Sequence, residues 1–276
     1  MKKLLFACDG DNFSYSALEL AANMNKQEKI LLKGAFLPSI DYSRMGSFTY
    51  ANSYTGFIPP DFYEREEETM NRNIRQFEDL CKENNISYNI NKYTNFESLQ
   101  GLLGETRFSD MILIGSEHFF SAMGSDQPNA EMIRLLHDTE CPAFLIPDEL
   151  REPESILFAY DGESACMAAL KQFSRLMISY TDLPLTVVFF SFSHGERLPY
   201  EDAAKEYIKC HFKDFTVKVE DGGKIKDLDE WIEAYPNPLI ITGAYSRSGF
   251  SRIFKKSFIS TVIANHQFPV FLFHGK

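Results

Sequence analysis

The sequence predicts an α/β protein made of two tandem doubly wound domains. Each is a five-stranded parallel sheet of Rossmann-like order 3-2-1-4-5. Three observations carry the prediction. Leu4-Leu5-Phe6-Ala7-Cys8-Asp9-Gly10 returns 152 positions later as Ile156-Leu157-Phe158-Ala159-Tyr160-Asp161-Gly162. A glycine-ended apolar run follows in each half, Met111-Ile112-Leu113-Ile114-Gly115 and Leu239-Ile240-Ile241-Thr242-Gly243. A third run closes each half, Cys141-Pro142-Ala143-Phe144-Leu145-Ile146 and Phe268-Pro269-Val270-Phe271-Leu272-Phe273, with a Gly-to-Pro gap of 27 residues in the first half and 26 in the second. Matched landmarks in one order mark a repeated domain, placed at 1–148 and 154–276. The proline-bounded polar stretch Pro147 to Pro153 joins them, and it is too short to let them roam independently.

Each half opens on an apolar strand that ends in a sharp Asp-Gly turn. A helix follows, carrying Ala17, Leu18 and Ala21 in half one and Met167, Ala168, Leu170 and Phe173 in half two. The second strands are Ile30 to Phe36 and Thr186 to Phe190. The third strands, Ser87 to Tyr93 and Thr216 to Val219, alternate in polarity and are expected at half-buried edges. The first, fourth and fifth strands are apolar throughout and are expected to be covered on both faces. The crossover to strands 4 and 5 reverses the winding, which opens a crevice between strands 1 and 4 at their carboxyl ends. Asp9 and Gly115 mark that crevice in half one, Asp161 and Gly243 in half two. Half one carries extra sequence at Pro38 to Pro60, rich in Tyr, Ser, Gly and Phe. A loop there either overhangs the crevice or packs between the halves. Asp61 to Asn85 reads as a helix with Phe77, Leu80 and Cys81 inward and Glu64 to Glu68 solvated. Trp231 is expected in the core against the sheet.

Composition narrows the function. The chain has 276 residues, 44% hydrophobic and 24% charged, with a net charge of −11. That balance disfavours nucleic acid and anionic membrane as partners. No apolar run is long enough to span a bilayer, and the first one breaks at Asp9-Gly10, too early for a signal-peptide core. Five cysteines without a C-x-x-C pair are expected to be reduced thiols of a cytoplasmic protein, with Cys8, Cys141 and Cys166 packed inside. The six histidines form no metal-ligand pattern, so no metal site is expected. Glu117-His118 lies at the crevice, and His137 and His266 occupy matching places before the last strands.

These landmarks resemble the universal stress protein family in its tandem form, over nearly the whole chain. The resemblance rests on the Asp-Gly turn, on Cys141-Pro142 before the last strand, and on the glycine-ended fourth strand. Its most specific stretch is Gly243-Ala244-Tyr245-Ser246-Arg247-Ser248-Gly249-Phe250-Ser251-Arg252. In ATP-binding members of that family, G-x-x-G is followed after nine residues by Gly and Ser or Thr, and the strand-1 Asp serves the ribose and adenine end. Here Gly243 and Ser257 keep the pattern, whereas Ser246 and Lys256 replace glycines. Arg247, Arg252, Lys255 and Lys256 make the loop cationic, so they either hold phosphate through side chains or coat a helix end. Half one departs further, with Glu117, Asp126 and Glu131 near its loop and Asn129-Ala130 one residue out of step. It is not expected to be an ATP site of the usual kind. The fifth strands of the family meet edge to edge across a dimer, so a fused tandem is expected to pair them internally.

The resemblance therefore implies a stress-response binding or signalling module with no required cofactor and no catalytic residue. At most one adenine-nucleotide or small-anion site, for ATP or AMP, is expected. Half two is favoured, with Asp161 toward base and ribose and Gly243, Ser246, Arg247 and Ser257 toward phosphate. Asp9 and Gly115 are the half-one counterparts. A nucleotide-free interaction scaffold and a weak ATP hydrolase are the alternatives, and the oligomer is an internal pseudo-dimer with room for a homodimer. The S-G-G-x-D-S pyrophosphatase loop of related folds is absent.

Overall fold

An apolar run such as Leu4 to Cys8 can occupy a strand only where both faces of the sheet are covered. The computed structural model describes residues 1–10, 12–38, 62–93, 98–117, 119, 130–191, 195–222, 228–243 and 267–275. In it, Leu4, Leu5 and Phe6 are fully buried on β1 (Lys2–Asp9). That strand lies parallel between β2 (Ile30–Leu37) and β4 (Met111–Gly115). β3 (Ser87–Lys92) pairs with β2 and alternates between exposed and half-buried residues, as expected of an edge. The helices are α1 (Tyr15–Gln27), α2 (Phe62–Glu83), α3 (Ser98–Thr106) and α4 (Ala130–Asp138).

The first core is built around one ring. Phe77 of α2 stacks on Phe6 at 5.6 Å between centroids and meets Phe36 edge-on, also at 5.6 Å. Gly34 on β2 leaves the space for this, since a Cβ there would lie 2.7 Å from Phe36 and 3.1 Å from Phe77. α2 stops in a Schellman motif: Asn85 N–H donates to the Lys82 carbonyl and Ile86 N–H to the Cys81 carbonyl, with Asn85 left-handed at φ 51°. Buried Asn25 of α1 locks this end. Its amide donates to the Asn84 and Asn85 carbonyls and accepts from Ile30 N–H. Glu64 to Glu68 face solvent wholly or in part, as read.

Half two repeats the scheme. β6 (Ser155–Ala159) lies between β7 (Leu185–Ser191) and β9 (Pro238–Gly243), β8 (Phe215–Asp221) forms the edge, and β10 (Val270–Phe273) lies beyond β9. The order β8-β7-β6-β9-β10 is the expected 3-2-1-4-5. Its helices are α5 (Ser164–Leu176), α6 (Glu201–His211) and α7 (Leu228–Glu233), with a 3-10 turn at Ile178–Tyr180.

The chain divides into two compact units, Met1–Cys141 and Pro142–Lys276. The division falls before the expected linker because β5 (Ala143–Ile146) pairs antiparallel with β10, Phe271 opposite Phe144. The expected pairing of the two last strands is therefore present. Phe271 joins Phe144 to Phe173 of α5, at 6.1 and 5.2 Å.

Three expectations need correction, the first being Leu80 of α2, which is only half-buried beside the fully buried Phe77 and Cys81. The inward face of α5 is Cys166, Ala169, Leu170 and Phe173, while Met167 and Ala168 are only half-buried. The buried positions of α5 match those of α1 across the repeat, Ala169 with Ala17, Leu170 with Leu18 and Phe173 with Ala21, so Met167 and Ala168 fall beside the stripe. Trp231 is half-buried rather than core, with its ring against Phe190 and Tyr235 at 5.5 and 5.3 Å. The Tyr-rich insert lies outside the described residues from 39 to 60, although Pro38 is buried.

Candidate functional site

The paired crevice landmarks come together in each half, by different chemistry. In half one, Asp9 ends β1 fully buried, and its Oδ1 accepts from Asn12 Nδ2 at 3.2 Å. Asn12 N–H returns to the Asp9 carbonyl at 2.8 Å, and Gly10 turns at φ 44°. Asn73 of α2 donates to the Gly10 carbonyl and holds the turn from above. Gly115 closes against the cap of α1, where an added Cβ would lie 2.8 Å from Ser14 Cβ. Ser14 Oγ accepts from Ala17 N–H at 3.2 Å, which caps the helix. Next to Gly115, Ser116 is buried, and its hydroxyl has no hydrogen-bond partner among the described residues.

In half two, Asp161 is half-buried. Its Oδ1 accepts from Glu163 N–H at 3.0 Å and from the Cys166 thiol at 2.7 Å. Gly162 turns at φ 83° hard against Pro199, where a Cβ would lie 2.6 Å from the proline ring. Tyr160 Oη donates to the Pro199 carbonyl at 2.9 Å, which fixes this wall. Tyr200 follows, 77% exposed and left-handed at φ 51°, capping α6 without a side-chain bond. Gly243 ends β9 against the first turn of α5. A Cβ there would stand 2.6 Å from Cys166 N and 2.8 Å from Ala165 C. Both crevice glycines thus answer to helix packing as well as to any ligand.

Ser246, Arg247 and Ser257 lie outside the described residues, as do Arg252, Lys255, Lys256, His118, Asn129 and His266. Sequence reading missed Asn12, Asn73 and Cys166 as partners of the crevice turn. Amide and thiol donors leave no periodic signal, and Asn73 reaches Gly10 from 63 residues away. His137 is exposed beside Asp138 at 2.8 Å in the last turn of α4, which fits a helix-end role. Among the described residues no cluster could hold a metal, and no helix is long and apolar enough to cross a membrane.

All five cysteines are free thiols, four of them buried and Cys210 exposed. Burial pushes the Cys81, Cys141 and Cys166 thiols up to about 12. An acid whose folded pKa is raised stabilises the fold fully below the unfolded thiol pKa, about 8.5, and that contribution is lost as pH rises through the folded value. A chromogenic disulfide reagent should therefore find one fast thiol, Cys210, in the native chain and five in denaturant. Unfolding free energy should decline from about pH 8.5 upward. Several fast native thiols would contradict the burial.

Two tandem doubly wound domains, each with an Asp-Gly turn on strand 1 facing a glycine at the end of strand 4, define the universal-stress-type α/β fold. Solved structures share it over the whole chain. A universal stress protein from Archaeoglobus fulgidus DSM 4304 superposes with a TM-score of 0.70 at 16% identity, over 99% of this chain and 98% of that one. A protein from Pseudomonas aeruginosa PAO1 of unknown function gives 0.58 at 13% identity, over 99% and 92%. A protein assigned as a universal stress protein from Pseudomonas aeruginosa UCBPP-PA14 gives 0.54 at 12%, over 99% and 93%. The likeness is one of fold. No protein-family model and no curated protein matches the sequence.

Proposed function

We propose that this is a cytoplasmic stress-response binding or signalling module with one adenine-nucleotide site, in half two, and no catalysis of its own. The contrast between the two crevice carboxylates carries the choice of half. Asp9 is fully buried and bonded to Asn12, whereas Asp161 is half-buried and held at Oδ1 by two donors. A carboxylate fixed in that way is suited to accept ribose hydroxyls or a base amine. In this reading Asp161 takes the base and ribose end, and Gly243, Ser246, Arg247 and Ser257 take the phosphates of ATP or AMP. The cationic loop supplies the charge that glycine backbone supplies elsewhere.

Calorimetric titration with ATP and with AMP tests the reading. Heat of binding is expected from the wild type, and Asp161→Ala should weaken affinity by at least about tenfold, the scale of one hydrogen bond to a charged group. Asp9→Ala should leave affinity unchanged. No heat with either nucleotide would leave the nucleotide-free scaffold as the function, and equal affinity in Asp161→Ala would remove the site assignment.

A further inference from the structure

We propose that the buried Cys166 thiol is the positioning residue of the half-two site, tying the Asp161 carboxylate to Gly243 so that the two crevice landmarks face a nucleotide as one unit. This rests on the nucleotide reading above. Cys166 sits in the first turn of α5, is fully buried, and donates its S–H to Asp161 Oδ1 at 2.7 Å. Its backbone also meets Gly243, which approaches so closely that a Cβ there would stand 2.6 Å from Cys166 N. Cys166 therefore meets the turn after β6 through its sulfur and the end of β9 through its backbone. Glu163 N–H completes the anchoring of Asp161 at 3.0 Å.

The proton stays on sulfur. Burial pushes the thiol up to about 12, so at neutral pH Cys166 is a donor and adds no second negative charge beside the carboxylate. The repeat supplies an internal comparison. The residue 152 positions earlier is Ser14, whose hydroxyl accepts from Ala17 N–H and caps α1. Asp9 is served instead by Asn12, from its own turn. Half one thus ties its carboxylate to Asn12 of the local turn, and half two ties it to the first turn of α5.

Two measurements test this. The infrared S–H stretch assigned by its loss in Cys166→Val should shift to higher frequency in Asp161→Ala, as a hydrogen bond to a carboxylate is released. In ATP calorimetry, Cys166→Val, larger by about one carbon and without a donor, should bind about tenfold more weakly. Cys166→Ser restores a donor and should stay within about threefold of the wild type. A structural role alone would lower the Tm of Cys166→Val in step with its affinity and leave the S–H band unmoved by Asp161→Ala. Equal affinity in the two variants, or an S–H band unmoved by Asp161→Ala, overturns the proposal. The band comparison stands if Cys166→Val fails to fold, because Cys166→Ser also removes the band. Absence of ATP heat from the wild type overturns the nucleotide reading and the positioning role together, and a shifted band would then show that the thiol–carboxylate bond exists without serving that ligand.

Discussion

Phe77→Ala should destabilise the first unit by about 3–5 kcal/mol, the range for removing a fully buried phenylalanine. The ring is wholly enclosed, stacked on Phe6 and edge-on to Phe36 and Tyr88 at 5.6 to 5.8 Å. It is also the main apolar tie of α2 to β1, β2 and β3. Gly34 narrows the strand beneath it, so backbone on that side is already as close as it can come. Collapse to fill the void would have to move α2, whose end is locked by Asn25 through two bonds to the turn after the helix. The cavity term should therefore survive nearly in full. Urea unfolding followed by far-ultraviolet circular dichroism checks the value, with Phe108→Ala as control. Phe108 is 70% exposed, and its loss should change stability by no more than about 0.5 kcal/mol. A cost for Phe77→Ala below about 1.5 kcal/mol would mean that the core can close behind the ring.

Gly243→Ala should cost about 3 kcal/mol, the upper end of overpacking by one methyl group. The atoms it would strike are Cys166 N at 2.6 Å, Ala165 C at 2.8 Å and Cys166 Cα at 3.0 Å, all of them helix backbone. Backbone in a first turn cannot rotate away as a side chain can. Relief requires lifting α5 from β9, which would disturb Phe173 on Phe271 and the thiol on Asp161. For a domain of this size the change corresponds to a fall in Tm of roughly 10 °C. Gly115→Ala makes a useful contrast, because its nearest neighbours are Ser14 Cβ at 2.8 Å and Oγ at 3.2 Å, and that side chain has some freedom. Differential scanning calorimetry of both variants should rank Gly243→Ala below Gly115→Ala. The reverse order would assign Gly243 to something other than helix packing.

Much of this architecture was legible from local pattern. Apolar runs such as Leu4 to Cys8 and Leu239 to Thr242 announce buried strands because no other placement covers both faces. The alternation in Ser87 to Lys92 announces an edge for the complementary reason. The pairing of the last strands followed from the resemblance, since each is a short apolar strand with an edge to cover. The inward stripe of α5 was misread because Met167 and Leu170 look equally apolar, although the buried positions of α1, carried across the repeat, mark Ala169, Leu170 and Phe173. The crevice landmarks could be found at Asp9, Gly115, Asp161 and Gly243, but their partners could not. Asn25, Asn73 and Cys166 act through single hydrogen bonds, and nothing in the spacing of polar residues encodes which carbonyl or carboxylate they meet. Tyr200 adopts a left-handed backbone without the Gly or Asn that normally signals it.

The antiparallel seam between β5 and β10 has a consequence for dissecting the chain. The peptide bond that divides the two sequence repeats and the surface that divides the two folded units do not coincide: β5 belongs to the first repeat by ancestry and to the second unit by contact. A half-two fragment cut at the linker would lose the strand that shields β10 and carry a bare, apolar, unpaired edge, the template for self-association. A fragment begun ahead of Pro142 would keep β10 paired with β5. The unit of duplication and the compact unit are thus offset by one strand, so the linker is the wrong place to cut this chain.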